Sequence, residues 1–113
     1  MTRVKFIKKD NNYTGLRVVG HTGYAESGSD ILCASISSIV QAGAMGILEV
    51  LGIKADIVRD DEKGLFEIHL PDNLSDELYM KSNIIFDTMY LSIKDIASGY
   101  KKFIKLEEVW DVY

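Results

Sequence analysis

Residues 31–51 constrain the fold more than any other segment, because they predict a helix that is apolar on nearly all of its sides. Small residues recur along it and would let other elements pack closely: Ala34, Ala42, Gly43, Ala44 and Gly46. Serines, a glutamine and a glutamate interrupt the apolar run, which favours a core helix over a membrane span. We therefore expect the helix to be buried on most sides, with a second subunit as one candidate for part of the cover.

Alternating apolar and polar residues predict two β-hairpins, one before and one after this helix. Residues 3–8 and 13–19 alternate as half-buried strands do, and turn-forming residues separate them. Residues 53–58 and 65–70 form a similar pair around an acidic turn at residues 59–64. The two hairpins supply four strands to a sheet that can cover the helix.

A second helix and a last strand complete the chain. Asp72 or Ser75 is the expected cap of a helix that ends near Gly99, and residues 101–109 predict the final strand. The order is ββαββαβ, which indicates the α+β class. We expect a mixed or antiparallel sheet, built from two hairpins and a C-terminal strand, with both long helices on it. A chain of 113 residues fits a single domain, residues 1–113.

Charge and cysteine content limit the class of protein. The chain has 13 basic and 17 acidic residues, a net charge of −4, whereas nucleic-acid binders usually carry a basic surplus on one face. The single cysteine cannot form an internal disulfide, and no apolar signal-peptide core follows the basic N-terminus. We therefore expect a cytoplasmic protein that binds neither nucleic acid nor a membrane.

The segment that joins the first hairpin to the first helix carries the candidate chemistry. It holds His21 at the end of a predicted strand, a glycine-rich loop over residues 22–29, and Cys33 in the first turn of the helix. A helix start stabilises a thiolate, and a neighbouring histidine can take the thiol proton. Backbone N–H groups at the same helix start can bind an oxyanion. Together these parts predict a cysteine acyl-transfer site.

Each of these residues also has an ordinary structural explanation. Cys33 can be a buried thiol, and His21 can be a surface residue at a strand end. Ser29 or Asp30 can cap the helix, Asp30 by accepting from the Cys33 N–H, and Asp30 can instead orient the imidazole. Ser37 shares the face of Cys33, where its hydroxyl can bond near the thiol or back to its own helix. The residues alone leave both explanations open.

Other polar groups are weaker candidates. His69 alternates onto the same face as Glu67, opposite the apolar residues of its strand, which is typical of a solvated face. One cysteine and two distant histidines match no standard spacing of metal ligands. The acidic turn at residues 59–64 is explained as a hairpin turn, with calcium binding left open.

The spacing of residues 20–37 is similar to that of a known family. A GH pair, a GYA triplet, a glycine, a DI-x-CA segment and a serine follow one another: Gly20-His21, Gly23-Tyr24-Ala25, Gly28, Asp30-Ile31-Leu32-Cys33-Ala34 and Ser37. This pattern resembles the motif of the ribosomal-processing cysteine protease family Prp. The small α+β outline resembles that family over essentially the whole chain. Leu32 stands where a valine is frequent in the family, a substitution that changes little volume.

The resemblance implies a cysteine endopeptidase that removes the N-terminal extension of large-subunit ribosomal protein twenty-seven, cutting just after a pair of aromatic residues. It implies that Cys33 is the nucleophile and His21 the general base and acid of a Cys-His dyad. It places Asp30, Ser37 and Gly20 in supporting positions, with Gly20 at a hinge of the loop over the site. It also implies a homodimer that uses no metal or organic cofactor.

Such an enzyme needs an apolar pocket for aromatic residues, which the start of the first helix and Tyr24 can line. The glycines around His21 also predict a lid over residues 22–29 that orders with substrate. The alternative function is a non-enzymatic dimeric peptide-binding module in ribosome assembly, whose glycine loop grips a peptide without cutting it.

Overall fold

The computed structural model describes residues 1–21 and 30–111. Its elements in chain order are β1 (Thr2–Lys9), β2 (Asn12–Val19), α1 (Ile31–Met45) with a π-helical extension (Gly46–Val50), β3 (Asp56–Asp60), β4 (Leu65–His69), α2 (Asp76–Gly99) and β5 (Ile104–Trp110). The predicted ββαββαβ order and α+β class are confirmed.

The five strands form one mixed sheet in the order β3-β4-β2-β1-β5. The two hairpins pair antiparallel, and β4 also pairs antiparallel with β2. Strand β5 runs parallel to β1 and lies beside it. These pairings make β4 and β5 parallel to each other, so the connection between them must cross the sheet, and α2 provides that crossover.

One face of the sheet carries the core. Phe6 lies opposite Leu16, and Leu16 lies opposite Ile68, so apolar side chains line up across three strands. The buried apolar sheet residues on this face include Val4, Phe6, Tyr13, Leu16, Val18, Ile68 and Ile104. Buried residues of both helices belong to the same cluster, which confirms that the two helices cover one sheet.

The other face of the sheet carries charged residues. His69 Nε2 lies 2.8 Å from Glu67 Oε1, and Arg17 pairs with Glu67 at 3.6 Å. Glu67 thus contacts both Arg17 and His69. His69 lies in this charged cluster on the face opposite the core, as its alternation with the apolar residues predicts.

Glycines in α1 set the distance between the two helices. A Cβ at Gly43 would overlap the sulfur of Met89, which is itself buried, and a Cβ at Gly46 would lie 3.1 Å from Ile85 Cδ1. The close packing that the small residues predict therefore occurs at Gly43 and Gly46. It holds the last turn of α1 and the start of its π-helical extension against the middle of α2.

Hydrogen bonds hold α2 on the first hairpin. The Tyr13 hydroxyl donates to Asp87 Oδ1 at 2.6 Å, and the Tyr13 N–H donates to Asn83 Oδ1 at 3.0 Å. Burial, and then the bond to Asp87, raises the pKa of Tyr13, so its hydroxyl remains a donor throughout the neutral range. Because α2 is fixed on β2, and α1 is packed on α2, the position of α1 is set from both sides.

Three predicted boundaries are displaced, each by a local interaction. The first helix was expected to be α-helical to residue 51, but its last turn is a π-helix in which the Leu51 N–H donates to the Gly46 carbonyl. Strand β3 begins at Asp56 and not at residue 53, because the Ile53 N–H donates to the Ile47 carbonyl and ties Ile53 to the helix end. Residues 101–103 form a turn before β5.

One copy of the chain buries only one side of α1, so the expectation of burial on most sides is not met. The buried residues are Leu32, Ile36, Val40, Gly43 and Ala44. Ile31 and Met45 are each 63% exposed. Within the described ranges, Ile31–Val50 is the one helix long and apolar enough to cross a membrane by length and composition, although its buried side packs in the core as a soluble core helix does.

Candidate active site

Cys33 lies in the first turn of α1, and Asp30 caps that turn. Asp30 has an extended backbone and its Oδ1 accepts from the N–H groups of Leu32 at 2.9 Å and Cys33 at 3.1 Å. This confirms that Asp30 caps the helix and accepts from the Cys33 N–H. The alternative cap, Ser29, lies outside the described residues.

The same carboxylate also contacts the thiol. Cys33 Sγ lies 3.4 Å from Asp30 Oδ2, in a part-buried position, while Asp30 itself is only 8% exposed. One oxygen of Asp30 therefore orders the backbone of the first turn, and the other holds the side chain of Cys33. Asp30 therefore contacts Cys33 at both its backbone N–H and its sulfur.

The expected oxyanion donors at this helix start are already engaged. The Leu32 and Cys33 N–H groups donate to the Asp30 side chain, and the Ala34 N–H donates to the Asp30 carbonyl at 3.2 Å. A developing oxyanion would have to compete with these bonds. The prediction that first-turn N–H groups bind an oxyanion is therefore not supported for these three.

His21 lies two residues past the end of β2, and hydrogen bonds fix the backbone of its neighbour Gly20. The Gly20 N–H donates to the Lys63 carbonyl at 3.1 Å, and the Gly20 carbonyl accepts from the Thr2 hydroxyl at 3.3 Å. Gly20 has a φ of +92°, and a Cβ there would lie 2.5 Å from the Met1 carbonyl oxygen. Only glycine fits this position. The exposed imidazole has its Nε2 3.3 Å from the Glu62 carbonyl oxygen.

Cys33 and His21 line one cavity of about 180 Å³ between α1 and the β3–β4 hairpin. Gly20 and Ser37 also line it, so the structure brings four of the predicted site residues to one place. Much of the wall is apolar and comes from β2, α1 and β4: Val18, Ile36, Val40, Leu65 and Phe66. A thiol and an imidazole on an apolar cavity are the parts that covalent cysteine catalysis requires.

Ser37 is hydrogen-bonded to Gln41, a residue that the sequence pattern did not single out. Its hydroxyl accepts from the Gln41 side-chain amide at 2.7 Å, one turn further along α1. Both residues are exposed and line the cavity. Tyr24, predicted to line the substrate pocket, and the predicted lid at residues 22–29 lie outside the described residues.

The β3–β4 turn was predicted only as a turn, and its place at the cavity was missed. Arg59, Asp61 and Gly64 line the cavity beside His21. The chain separates them from His21 by some forty residues, and only the pairing of β4 with β2 brings them together. The one sequence feature that could have indicated this contact is Gly64 at the end of a charged turn. A glycine in a turn does not show which residues lie against it.

The carboxylates of this turn bond within the turn. Asp60 Oδ1 accepts from the N–H groups of Glu62 at 3.1 Å and Lys63 at 3.4 Å, and Asp61 Oδ1 accepts from Arg59 Nε at 2.9 Å. Over residues 1–21 and 30–111, no group of three or more metal-ligating side chains has the geometry to hold an ion. These contacts favour the hairpin-turn explanation over the calcium alternative.

Known proteins match this chain over nearly its whole length. The family described as Cysteine protease Prp matches residues 1–105. The ribosomal processing cysteine protease Prp of Staphylococcus aureus is 29% identical over 100 residues, which cover 88% of this chain and 91% of that protein. A crystal structure of the S. aureus protease with a covalently linked product peptide superposes with a TM-score of 0.84 at 28% identity, covering 96% of this chain and 99% of that one.

The same S. aureus protease has also been crystallised with a substrate peptide. That structure gives a TM-score of 0.79 at 27% identity, and covers 96% of this chain and 99% of that one. Both TM-scores indicate the same five-stranded sheet with two helices.

The capping role of Asp30 leads to a stability prediction. Asp30→Ala removes the acceptor for two N–H groups, and we expect the free energy of unfolding to fall by about 1 kcal/mol. Asp30→Asn keeps a side-chain oxygen and should retain most of the stability, because asparagine and aspartate cap helices about equally well. Urea unfolding followed by circular dichroism measures the difference.

Ser75→Ala is the matched control, since Ser75 caps α2 away from the cavity by accepting from the Leu78 N–H at 3.2 Å. Both alanine variants should lower stability, but only Asp30→Ala should also change the rate at which iodoacetamide alkylates Cys33. Wild-type stability in Asp30→Ala would show that the cap contributes nothing.

Proposed function

This chain belongs to the cysteine protease Prp family, and we propose that it is the endopeptidase that removes the N-terminal extension of large-subunit ribosomal protein twenty-seven. The observation that carries the proposal is the single apolar cavity lined by both Cys33 and His21. The similarity of this chain to a ribosomal processing protease crystallised with a covalently linked product peptide supports a peptide substrate and a covalent step.

In this mechanism Cys33 and His21 form the dyad. His21 takes the thiol proton, and the thiolate attacks the carbonyl carbon of the scissile bond. The imidazolium then gives its proton to the leaving amine as the C–N bond breaks, which leaves the N-terminal fragment as a thioester on Cys33. A water molecule, deprotonated by His21, attacks the thioester and releases that fragment as a carboxylate.

Three residues support the dyad without reacting. Asp30 orders the turn that carries Cys33 and holds its sulfur. Gly20 lets the chain approach β1 closely and so places His21 at the end of β2. Ser37 holds the Gln41 amide at the rim of the cavity, where it can meet the backbone of a bound peptide.

The size and lining of the cavity favour cleavage after an aromatic residue. Apolar cavities of about 150 Å³ in proteins bind benzene, so a cavity of about 180 Å³ accommodates one aromatic ring. Phe66 and Leu65 supply apolar walls for that ring. Because the space suits one ring and not two, the second aromatic residue of the proposed substrate pair binds elsewhere. Tyr24 is a candidate for that contact.

We expect the reaction to need no other component. The proposed enzyme works in the cytoplasm, where ribosomal proteins are made, and uses no metal or organic cofactor, nucleic acid or membrane. An assay that contains only the purified protein, a peptide and a metal chelator therefore tests, together with the activity, whether the reaction needs a metal, an organic cofactor, a nucleic acid or a membrane.

Removing either member of the dyad should abolish cleavage. We expect Cys33→Ala and His21→Ala each to lower kcat/KM by at least about 10³-fold, because each removes a group that reacts. The substrate is a synthetic extension peptide with two phenylalanines before the cut, and mass spectrometry identifies the fragments. Both variants should melt within a few degrees of the wild type, since neither side chain belongs to the core cluster.

The same experiment separates the protease from a peptide-binding module. A non-enzymatic module would bind the peptide equally in wild type and Cys33→Ala and would leave it uncut in both. Full cleavage by Cys33→Ala would contradict the dyad, because the bond would then be broken without the thiol.

We further propose that the enzyme is a homodimer, supported by apolar surface that one copy leaves uncovered. On α2, Met80, Ile84 and Leu91 lie on one side of the helix and are 59%, 63% and 62% exposed. Large apolar residues in a row on an exposed helix are typical of an interface. A second copy could cover this row, and the exposed side of α1 offers further apolar surface.

Ile84→Glu tests the α2 surface. A buried glutamate without a partner opposes association, so the variant should sediment as a monomer at concentrations where the wild type is a dimer. Val58→Glu adds the same charge at an exposed apolar residue of β3, on the face of the sheet opposite the helices, and should leave the dimer intact. A monomeric wild type would rule out the dimer, and a dimeric Ile84→Glu would move the interface away from α2.

A further inference from the structure

The backbone of the β3–β4 turn contacts the imidazole of His21. The Glu62 carbonyl oxygen lies 3.3 Å from His21 Nε2. A carbonyl oxygen can only accept a hydrogen bond, so Nε2 must carry the proton in this contact. In the neutral imidazole the lone pair then belongs to Nδ1, which is the nitrogen left to act as a base.

We propose that the Glu62 backbone carbonyl positions the general base of this protease, and that Nδ1 of His21 is the atom that takes the Cys33 proton. The inference rests on the proposed function, since it assigns a role within the dyad. Dyads and triads commonly have a third group that fixes the tautomer and direction of the histidine. Here a main-chain oxygen supplies that group, from an element distant in the sequence.

The turn has the rigidity that such a role requires. Asp60 Oδ1 accepts from the N–H groups of Glu62 and Lys63, and the Gly64 N–H donates to the Asp61 carbonyl at 3.3 Å. The Lys63 carbonyl accepts from the Gly20 N–H at 3.1 Å. Two consecutive carbonyls of the turn therefore hold the end of β2: Lys63 holds its backbone and Glu62 holds the imidazole.

Gly64 makes this approach possible. It has a φ of +60°, and a Cβ there would lie 2.6 Å from the Gly20 carbonyl oxygen and 3.2 Å from His21 Cε1. Any side chain at this position must push Gly20 and His21 away from the turn. The absence of a side chain at residue 64 therefore sets the distance between the Glu62 carbonyl and the imidazole.

Gly64→Ala and Gly52→Ala form a matched pair. Gly52 has a similar φ of +68° but nothing within 4 Å of the added Cβ, so both variants carry the same backbone strain and only Gly64→Ala displaces His21. We expect Gly64→Ala to lower kcat by about 10²-fold with KM changed by less than about threefold, as misplacement of a reacting group does. Gly52→Ala should keep wild-type kcat, and Gly64→Ala should melt at the lower temperature of the two because it adds a backbone clash to the same strain, so kcat is measured below both melting temperatures.

Nitrogen and carbon chemical shifts of the imidazole give a second, substrate-free readout. With labelled histidine, His69→Gln leaves a single signal set, that of His21. Above roughly pH 8, where histidine is mostly neutral, wild-type His21 should be the Nε2–H tautomer, and Gly64→Ala should show a mixture. The tautomer of wild-type His21 tests the contact with the Glu62 carbonyl even if Gly64→Ala folds poorly.

Two results would overturn the inference while leaving the protease intact: equal kcat in Gly64→Ala and Gly52→Ala, or an Nδ1–H tautomer in the wild type. A wild type that cuts no peptide under any condition would instead overturn the proposed function and this role with it.

Discussion

Burial of one side of α1 against the sheet and α2 is the constraint on which the site depends. Gly43 and Gly46 bring the two helices together, and Tyr13 fixes α2 on the first hairpin. With its C-terminal end held in this way, α1 begins close to the end of β2, and Asp30 orders the first turn. The same packing that stabilises the domain therefore delivers Cys33 to a cavity wall opposite the β3–β4 hairpin.

The two proposed catalytic groups are held by different kinds of structure. Cys33 belongs to a capped helix, and a single carboxylate controls both its backbone and its sulfur. His21 stands just past a strand end, and its neighbour Gly20 is bonded to β1 on one side and to the β3–β4 turn on the other. The proposed base is therefore more firmly placed than a glycine-rich sequence indicates, because the β3–β4 turn contacts both Gly20 and the imidazole of His21.

Local patterns in the sequence were enough for the order of elements and for the cap. Alternation and helical spacing act over a few residues, so both hairpins and both helices could be predicted, and Asp30 could be named as one candidate cap from its place before Cys33. The contact of Glu62 and Gly64 with His21 could not, because it depends on β4 pairing with β2 across some forty residues. The burial of α1 was overestimated because the sequence of an apolar helix does not show which of its sides the sheet and α2 cover, and Ile31 and Met45 lie on a side that remains exposed.

The central claim is that one apolar cavity presents a reactive thiol to an aromatic residue of a peptide. Peptidyl chloromethyl ketones that end in phenylalanine or alanine test it directly, with the site of attachment and the rate read by mass spectrometry. We predict a single adduct, on Cys33, that forms at least about tenfold faster with phenylalanine, because burial of a phenylalanine side chain contributes about 1.5–3 kcal/mol. Attachment at another residue, or equal rates for the two reagents, would contradict the account.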